Sequence, residues 1–162
     1  MNQDILKQIE LLLQPTDDEA WWYRKVKTLD DELAVPYLIE ILLDQNETLL
    51  RRKTASTILG ILGNETAVEP LCQMMNDADT TLRGRAAKAL GGFGTLEGPP
   101  LQQLIQGLDD EASYVRRSSA KALEKLNCAE ALPKLKEMSE SDKELTNQEV
   151  ARKAIRALED SP

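Results

Sequence analysis

The sequence predicts an all-α solenoid of about five helical hairpins, some ten helices in a single domain over residues 1–162. Three observations carry that prediction: an internal repeat, apolar residues recurring at helical spacing, and Pro and Gly placed at hairpin ends. The repeat is visible when VRRSSAKALEKL at 115–126 is laid over LRGRAAKALGGF at 82–93. An offset of 33 pairs Val115 with Leu82, Arg116 with Arg83, Ala120 with Ala87, Ala122 with Ala89 and Leu123 with Leu90. The same step carries Leu104 to Leu71 and Leu38, and Asp110 to Asp77 and Asp44. Offsets of 31 and 35 connect the flanking copies, through Leu59, Gly60 and Gly63 on one side and Val150, Ala157 and Leu158 on the other.

Taken in order, Ile5, Leu6, Ile9, Leu12 and Leu13 share one helical face and predict a first helix over 2–14, with its partner over 18–29. Leu38, Ile41 and Leu42 predict a helix over 33–44, followed by one over 48–62. Leu71, Met74 and Met75 repeat that face over 66–76, and the apolar positions 82, 86, 89, 90 and 93 place the next helix over 80–93. Helices over 99–108 and 113–126, then 130–139 and 147–159, complete the series. Pro36, Pro70, Pro100 and Pro133 sit near helix starts, where a missing N–H costs little. Gly63, Gly94 and Asn127 end the second helices as left-handed caps would require. The units are thus a degenerate N-terminal capping pair at 1–29, clear repeats at 33–63, 66–94 and 99–127, and a C-terminal capping repeat at 130–159. No stretch alternates as a strand does.

Composition removes several functions. The chain has no His, which excludes Ser-His-Asp and Cys-His catalysis, His-ligated metal and an imidazole pH switch. A net charge of −8 argues against a general nucleic-acid binder. No apolar run is long enough to span a bilayer. Asp4 stands where a signal peptide needs positive charge, and Cys72 and Cys128 lie 56 positions apart without ligand spacing, so a reduced, cytoplasmic setting is expected. Gly91, Gly92, Phe93 and Gly94 end a helix rather than opening one, so they offer carbonyls and not the N–H groups that hold phosphate.

The segments AVPYLIEILLD at 34–44, AVEPLCQMMND at 67–77 and LRGRAAKALGGFG at 82–94 resemble the HEAT-repeat superfamily, most closely the bacterial PBS-lyase HEAT-like repeats. The resemblance implies a right-handed solenoid whose second helices line the concave side. It also implies that Asp44 with Arg52, Asp77 with Arg83 and Asp110 with Arg116 form a structural ladder linking neighbouring repeats across the inner turns. Glu19 and Ala151 fall at the arginine position of the terminal units by the repeat offsets, so the ladder is expected to stop there.

The binding candidates lie on the second helices. Over 18–29, 48–62, 80–93, 113–126 and 147–159 these hold 16 basic and 5 acidic residues, against 4 basic and 23 acidic elsewhere. Projection places Arg85, Lys88 and Gly92 on an outward row, together with Trp21, Arg24 and Thr28; Thr54, Thr57 and Ile61; Ser118, Lys121 and Lys125; and Lys153 and Arg156. Arg117 and Lys53 flank it. Trp22 and Tyr23 are expected to plug the core, leaving Trp21 either as an aromatic anchor on the concave row or folded over the N-terminal edge. The leading expectation is a non-enzymatic scaffold holding an acidic protein partner on its basic concave face, with no catalytic residue, metal or cofactor. The alternative rests on the resemblance, whose members include bilin-lyase subunits and factors that attach open-chain tetrapyrroles to phycobiliproteins or detach them. A bilin would then be the ligand. Metal-dependent hydroxylases built on the same repeats are set aside by the missing His.

Overall fold

The computed structural model describes residues 3–160. Ten α-helices follow one another as five hairpins: α1 (Gln3–Leu12) and α2 (Glu19–Val26), α3 (Asp31–Leu43) and α4 (Leu49–Leu62), α5 (Val68–Met74) and α6 (Thr80–Leu90), α7 (Pro99–Gln106) and α8 (Ser113–Lys125), and α9 (Leu132–Ser141) and α10 (Leu145–Glu159). Short 3₁₀ turns at Glu65–Ala67 and Ala129–Ala131 lead into α5 and α9, and one at Gly107–Asp109 follows α7. No strand occurs among the described residues. The expected start of the first helix at residue 2 lies outside them.

Helix starts follow local chemistry. Asp18, Asp30, Thr48 and Asp79 each accept a hydrogen bond from the backbone N–H three residues on, which satisfies one of the donors a helix leaves unpaired. Pro99 and Pro133 occupy first-turn positions, but Pro36 lies inside α3 rather than at its start. Gly63 and Asn127 adopt positive φ of 71° and 51°, as a left-handed cap requires. Gly94 does not. Helix α6 instead ends at Gly91 with φ of −68°, and the positive φ of this connection, 65°, falls at Gly98, which turns the chain into Pro99.

The even-numbered helices pack on one another in series, and α1, α3, α5 and α7 do the same in a second layer. Between the layers runs one core, from Ile9, Leu12 and Leu13 through Leu38, Ile58, Leu71, Leu90 and Leu104 to Leu123 and Leu135. Even helices approach closely at small residues. A Cβ added to Gly60 would lie 2.6 Å from Ala89 Cα, and one added to Gly91 would lie 2.7 Å from Ala122 Cα, so no side chain fits there.

Arginines span the junctions between hairpins. Arg52 Nη2 meets Asp77 Oδ2 at 2.9 Å. Arg83 forks onto both oxygens of Asp110, each at 2.9 Å, and Arg116 onto both oxygens of Asp142 at 2.7 and 2.9 Å. Each arginine also donates to a carbonyl of its own hairpin: Arg52 to Leu42, Arg83 to Asp77 and Arg116 to Asp110. The pairing thus differs from Asp44 with Arg52, Asp77 with Arg83 and Asp110 with Arg116. Each ion pair goes one hairpin forward, because the guanidinium at the start of a second helix reaches across to the next inner turn. Asp44 is exposed and its carboxylate accepts from Asn46 rather than from an arginine, and the ladder enters the last hairpin at Asp142, whose side chain is 2% exposed.

Counting four residues from each helix cap shows what ends the series. That position holds Arg52, Arg83 and Arg116 in the middle, but Trp22 in α2 and Gln148 in α10, not Glu19 and Ala151. Trp22 Nε1 donates to Leu12 O at 2.8 Å, reproducing the Arg52–Leu42 bond, and Gln148 Nε2 donates to Asp142 O at 2.9 Å, reproducing the bond from Arg116 to Asp110. Both keep the bond within the hairpin and drop the charge between hairpins.

Arg83→Met strips a largely buried carboxylate of its cation and should cost about 3 kcal/mol in urea denaturation, since removing one member of such a pair leaves the other desolvated and unpaired. Acid should act through the same rungs. The hydrogen bond from Arg116 holds the Asp142 carboxyl below its ordinary range; at Asp110 burial pushes upward but is outweighed by Arg83 and the Ala112 N–H. With folded-state values depressed, the unfolded chain binds more protons. Stability should therefore be level above the ordinary Asp value of about 4 and fall as pH drops below it. Asp142→Asn should flatten that fall in a pH series of melting curves.

Candidate functional site

A groove of about 1120 Å³ opens on the even-helix side, at the N-terminal half of the molecule. Its floor is the α4–α6 seam, at Gly60, Ile61, Ala89 and Gly92, where the small residues that let the helices touch leave little side chain to fill the space. One wall is α2 with the loop that precedes it, from Gln14 to Thr16. Five cations line the groove, Arg24, Lys27, Arg85, Lys88 and Lys125, against a single carboxylate, Glu19. Arg85 is steadied by a 3.2 Å hydrogen bond to Thr57 Oγ1, and Lys27 Nζ donates to Ile61 O at 2.9 Å while lying 5.9 Å from the Tyr23 ring centre.

Aromatic placement differs from expectation. Trp21 is half-buried against the core and does not line the groove; Trp22 and Tyr23 do. Tyr23, expected to plug the core, is 51% exposed. The cause is register. Trp22 stands in place of Arg52, an offset of 30, so projection at the 33-residue step rotates α2 by most of a turn. Arg24 stays in the groove, Thr28 leaves it and Lys27 enters.

The C-terminal part of the predicted row scatters. Lys125 reaches the groove, but Ser118 is 5% exposed and belongs to the core side of α8. Arg117, Lys121, Lys153 and Arg156 do not line the groove. Arg117 is half-buried over the Tyr114 ring at 5.9 Å, and Lys121 is exposed. Lys153 is tied to Glu124 at 3.0 Å, and Arg156 donates to the Arg152 carbonyl. Lys53, the other flanking residue, pairs with Asp79 at 3.4 Å. Of the predicted row and its flanks, Lys53 and Lys153 are thereby neutralised, while Arg24, Arg85, Lys88 and Lys125 stay together beside Trp22 and Tyr23. Sequence projection missed Trp22, Tyr23 and Lys27 as groove residues, although counting from the caps Asp18 and Thr48 finds the correct register.

Nothing in the groove resembles a nucleophile with its base. Cys72 and Cys128 are buried elsewhere, and burial pushes the Cys72 thiol up to about 11, away from thiolate chemistry. Among the described residues no cluster of His, Cys, Asp and Glu could hold a metal ion, and no helix is long and apolar enough to cross a membrane. What the groove offers is shape, a flat aromatic wall and cations. Lys88→Ala, at an exposed position, should change stability by less than about 0.5 kcal/mol. Trp22→Ala should cost about 2 kcal/mol by losing indole packing and the bond to Leu12, as read from denaturation followed by circular dichroism.

The model of the HEAT repeats matches residues 35–103 and 68–159. A phycocyanobilin lyase subunit alpha from Picosynechococcus sp. strain PCC 7002 is 34% identical over 107 residues, which are 59% of this chain and 40% of that protein. The chain therefore matches well under half the length of this relative. Among solved structures, the complex of CpcE and CpcF of phycocyanin lyase from Nostoc sp. PCC7120 superposes with a TM-score of 0.76 at 22% identity, covering 93% of this chain and 96% of that one. A designed armadillo repeat protein in complex with the peptide (KR)4 gives a TM-score of 0.65 at 21% identity, covering 97% and 86%. Human deoxyhypusine hydroxylase gives 0.67 at 20% identity, covering 99% and 64%.

Proposed function

The chain belongs to the HEAT-repeat family, and on that premise we propose that it is a subunit or accessory factor of a bilin-lyase type system, a helical-repeat scaffold that grips an open-chain tetrapyrrole or the protein that carries it. The observation that carries this reading is the 34% identity to a phycocyanobilin lyase subunit, whose matched stretch is long enough to include several hairpins. The groove supports it. A tetrapyrrole is long, flat and conjugated and bears two propionates, so it needs an aromatic wall and cations along one edge. Tyr23 and the Trp22 indole, held by its bond to Leu12, supply the wall. Arg85 and Lys88, one helical turn apart on α6, suit the carboxylates. The part assigned to this chain is binding and orientation, with no bond made or broken by its own side chains.

A second reading shares the site: an acidic protein partner held on the same face. It is favoured by the charge segregation between second helices and the rest of the chain, which would steer such a partner to the groove side. The designed armadillo protein of similar fold was solved with a basic peptide, and the cationic groove here calls for the opposite charge.

Phycocyanobilin added in equimolar amount should shift and sharpen its long-wavelength absorption band with the wild-type chain, and Arg85→Glu combined with Lys88→Glu should abolish the change. An unaltered spectrum with the wild-type chain would rule out chromophore binding and leave the protein-partner reading.

A further inference from the structure

We propose that α2 is a flap over the groove, swinging against α4 while α1 stays in place. About half of the groove's lining comes from the first hairpin, so a movement of α2 changes the width of the site directly. Three observations make this junction unlike the others. No arginine rung crosses it, because Trp22 stands where Arg52, Arg83 and Arg116 stand in the middle hairpins, and Asp44 accepts nothing from α2. No glycine–alanine seam draws α2 onto α4 as Gly60–Ala89 and Gly91–Ala122 draw the later pairs together; the groove lies in that place, and α2 packs far more sparsely on α4 than α4 does on α6. What closes the junction on the groove side is one exposed bond, Lys27 Nζ to Ile61 O.

The other layer is fastened. Ile5, Ile9, Leu12 and Leu13 of the first helix and the turn after it are buried in the core. Arg51 forks onto both oxygens of Glu10 at 2.8 and 3.0 Å, and Tyr37 donates to the same carboxylate at 2.9 Å. The first hairpin is thus pinned through α1, to whose end Trp22 Nε1 ties α2, and is clasped to α4 at the groove by the Lys27–Ile61 bond, with the exposed chain from Gln14 to Asp18 joining the two helices. Val26 at the end of α2 and Leu29 just beyond it, both buried beside Lys27, supply the pivot, and the Lys27–Ile61 bond resists rotation of the helix about it. A guest in the groove would replace the clasp by contacts with Trp22, Tyr23 and Arg24, closing α2 on itself. This device goes beyond the chromophore reading, since it depends on the groove and not on what fills it.

Hydrogen exchange of the ligand-free chain tests it. Amides of α2 should exchange at least tenfold faster than those of α1, α6 and α8. Lys27→Ala should raise the α2 rate several-fold further while leaving the other three unchanged. Trp21 and Trp22 are the only tryptophans and both lie in α2, so acrylamide quenching of fluorescence gives a second measure, expected to rise in Lys27→Ala at an unchanged melting temperature. Equal protection of α2 and α6 in both proteins would overturn the proposal. Fast exchange in α1 and α2 together would overturn it as well, because that is fraying of the whole hairpin. Neither measurement involves bilin, so a failure here is distinct from a failure of the chromophore reading.

Discussion

The arginine at the fourth position of a second helix is the constraint on which the middle of this molecule depends. Its planar fork has donors enough to bond its own hairpin and the next one at the same time, which an ammonium group on a flexible stem would do without fixed geometry. Arg83 shows the arrangement in full, with two bonds forward to Asp110 and two back to the carbonyls of Asp77 and Ala78. The aspartates are set in advance, because Oδ1 of Asp77, Asp110 and Asp142 also accepts the backbone N–H two residues on. Desolvation consumes much of the attraction in such a pair, so its main contribution is to fix where one hairpin sits on another. With that spacing held, Gly60 meets Ala89 and Gly91 meets Ala122, and neither contact tolerates a larger residue.

The ends of the series follow from the same chemistry. A last hairpin with an arginine at this position would present a half-buried cation without a carboxylate beyond it, since each rung runs one hairpin forward. Gln148 avoids that by keeping only the bond to its own inner turn. Trp22 ends the ladder at the other end in a different way: its one donor goes to Leu12 O and leaves Asp44 unclaimed, so the first junction is held through Glu10, Arg51 and Tyr37 and, on the groove side, by Lys27 on Ile61 O. Space left on the inner side is the groove. One substitution thus ends the ladder, opens a cavity and provides an aromatic wall for it.

Helix number and the middle hairpins were legible in the sequence because the 33-residue step carries Asp77 to Asp110 and Arg83 to Arg116 alike, so residues aligned in the chain there are also aligned in space. At the ends it fails for a physical reason. A repeat offset measures chain length, whereas the face a side chain occupies is set by the distance from its helix cap. The caps Asp18 and Thr48 are 30 residues apart, against 33 for Asp79 and Ala112, which moves the register from Trp21 to Trp22 and Tyr23, and the register of α10 places Gln148 rather than Ala151 at the arginine position. Ser118 was misplaced differently: a small polar residue on a helix carries no signal of burial, and here it faces the core. Pairing of Lys153 with Glu124 and of Lys53 with Asp79 joins residues of neighbouring hairpins, which no single-helix projection can show.

Those pairings also change what the charge means. A net of −8 on a chain whose second helices are basic implies two surfaces of opposite sign, but much of the basic set is spent inside the fold. Arg52, Arg83 and Arg116 are neutralised by the rungs, Arg51 by Glu10 and Glu47, and Lys53 and Lys153 by single carboxylates. The groove keeps five cations against Glu19 alone, and low-dielectric walls strengthen the field inside it. An acidic exterior repels anions at a distance while the groove attracts them at close range. A guest is therefore selected twice, by flatness against Trp22 and Tyr23 and by negative charge along one edge, and a molecule with only one of these properties forgoes half of the binding the site provides.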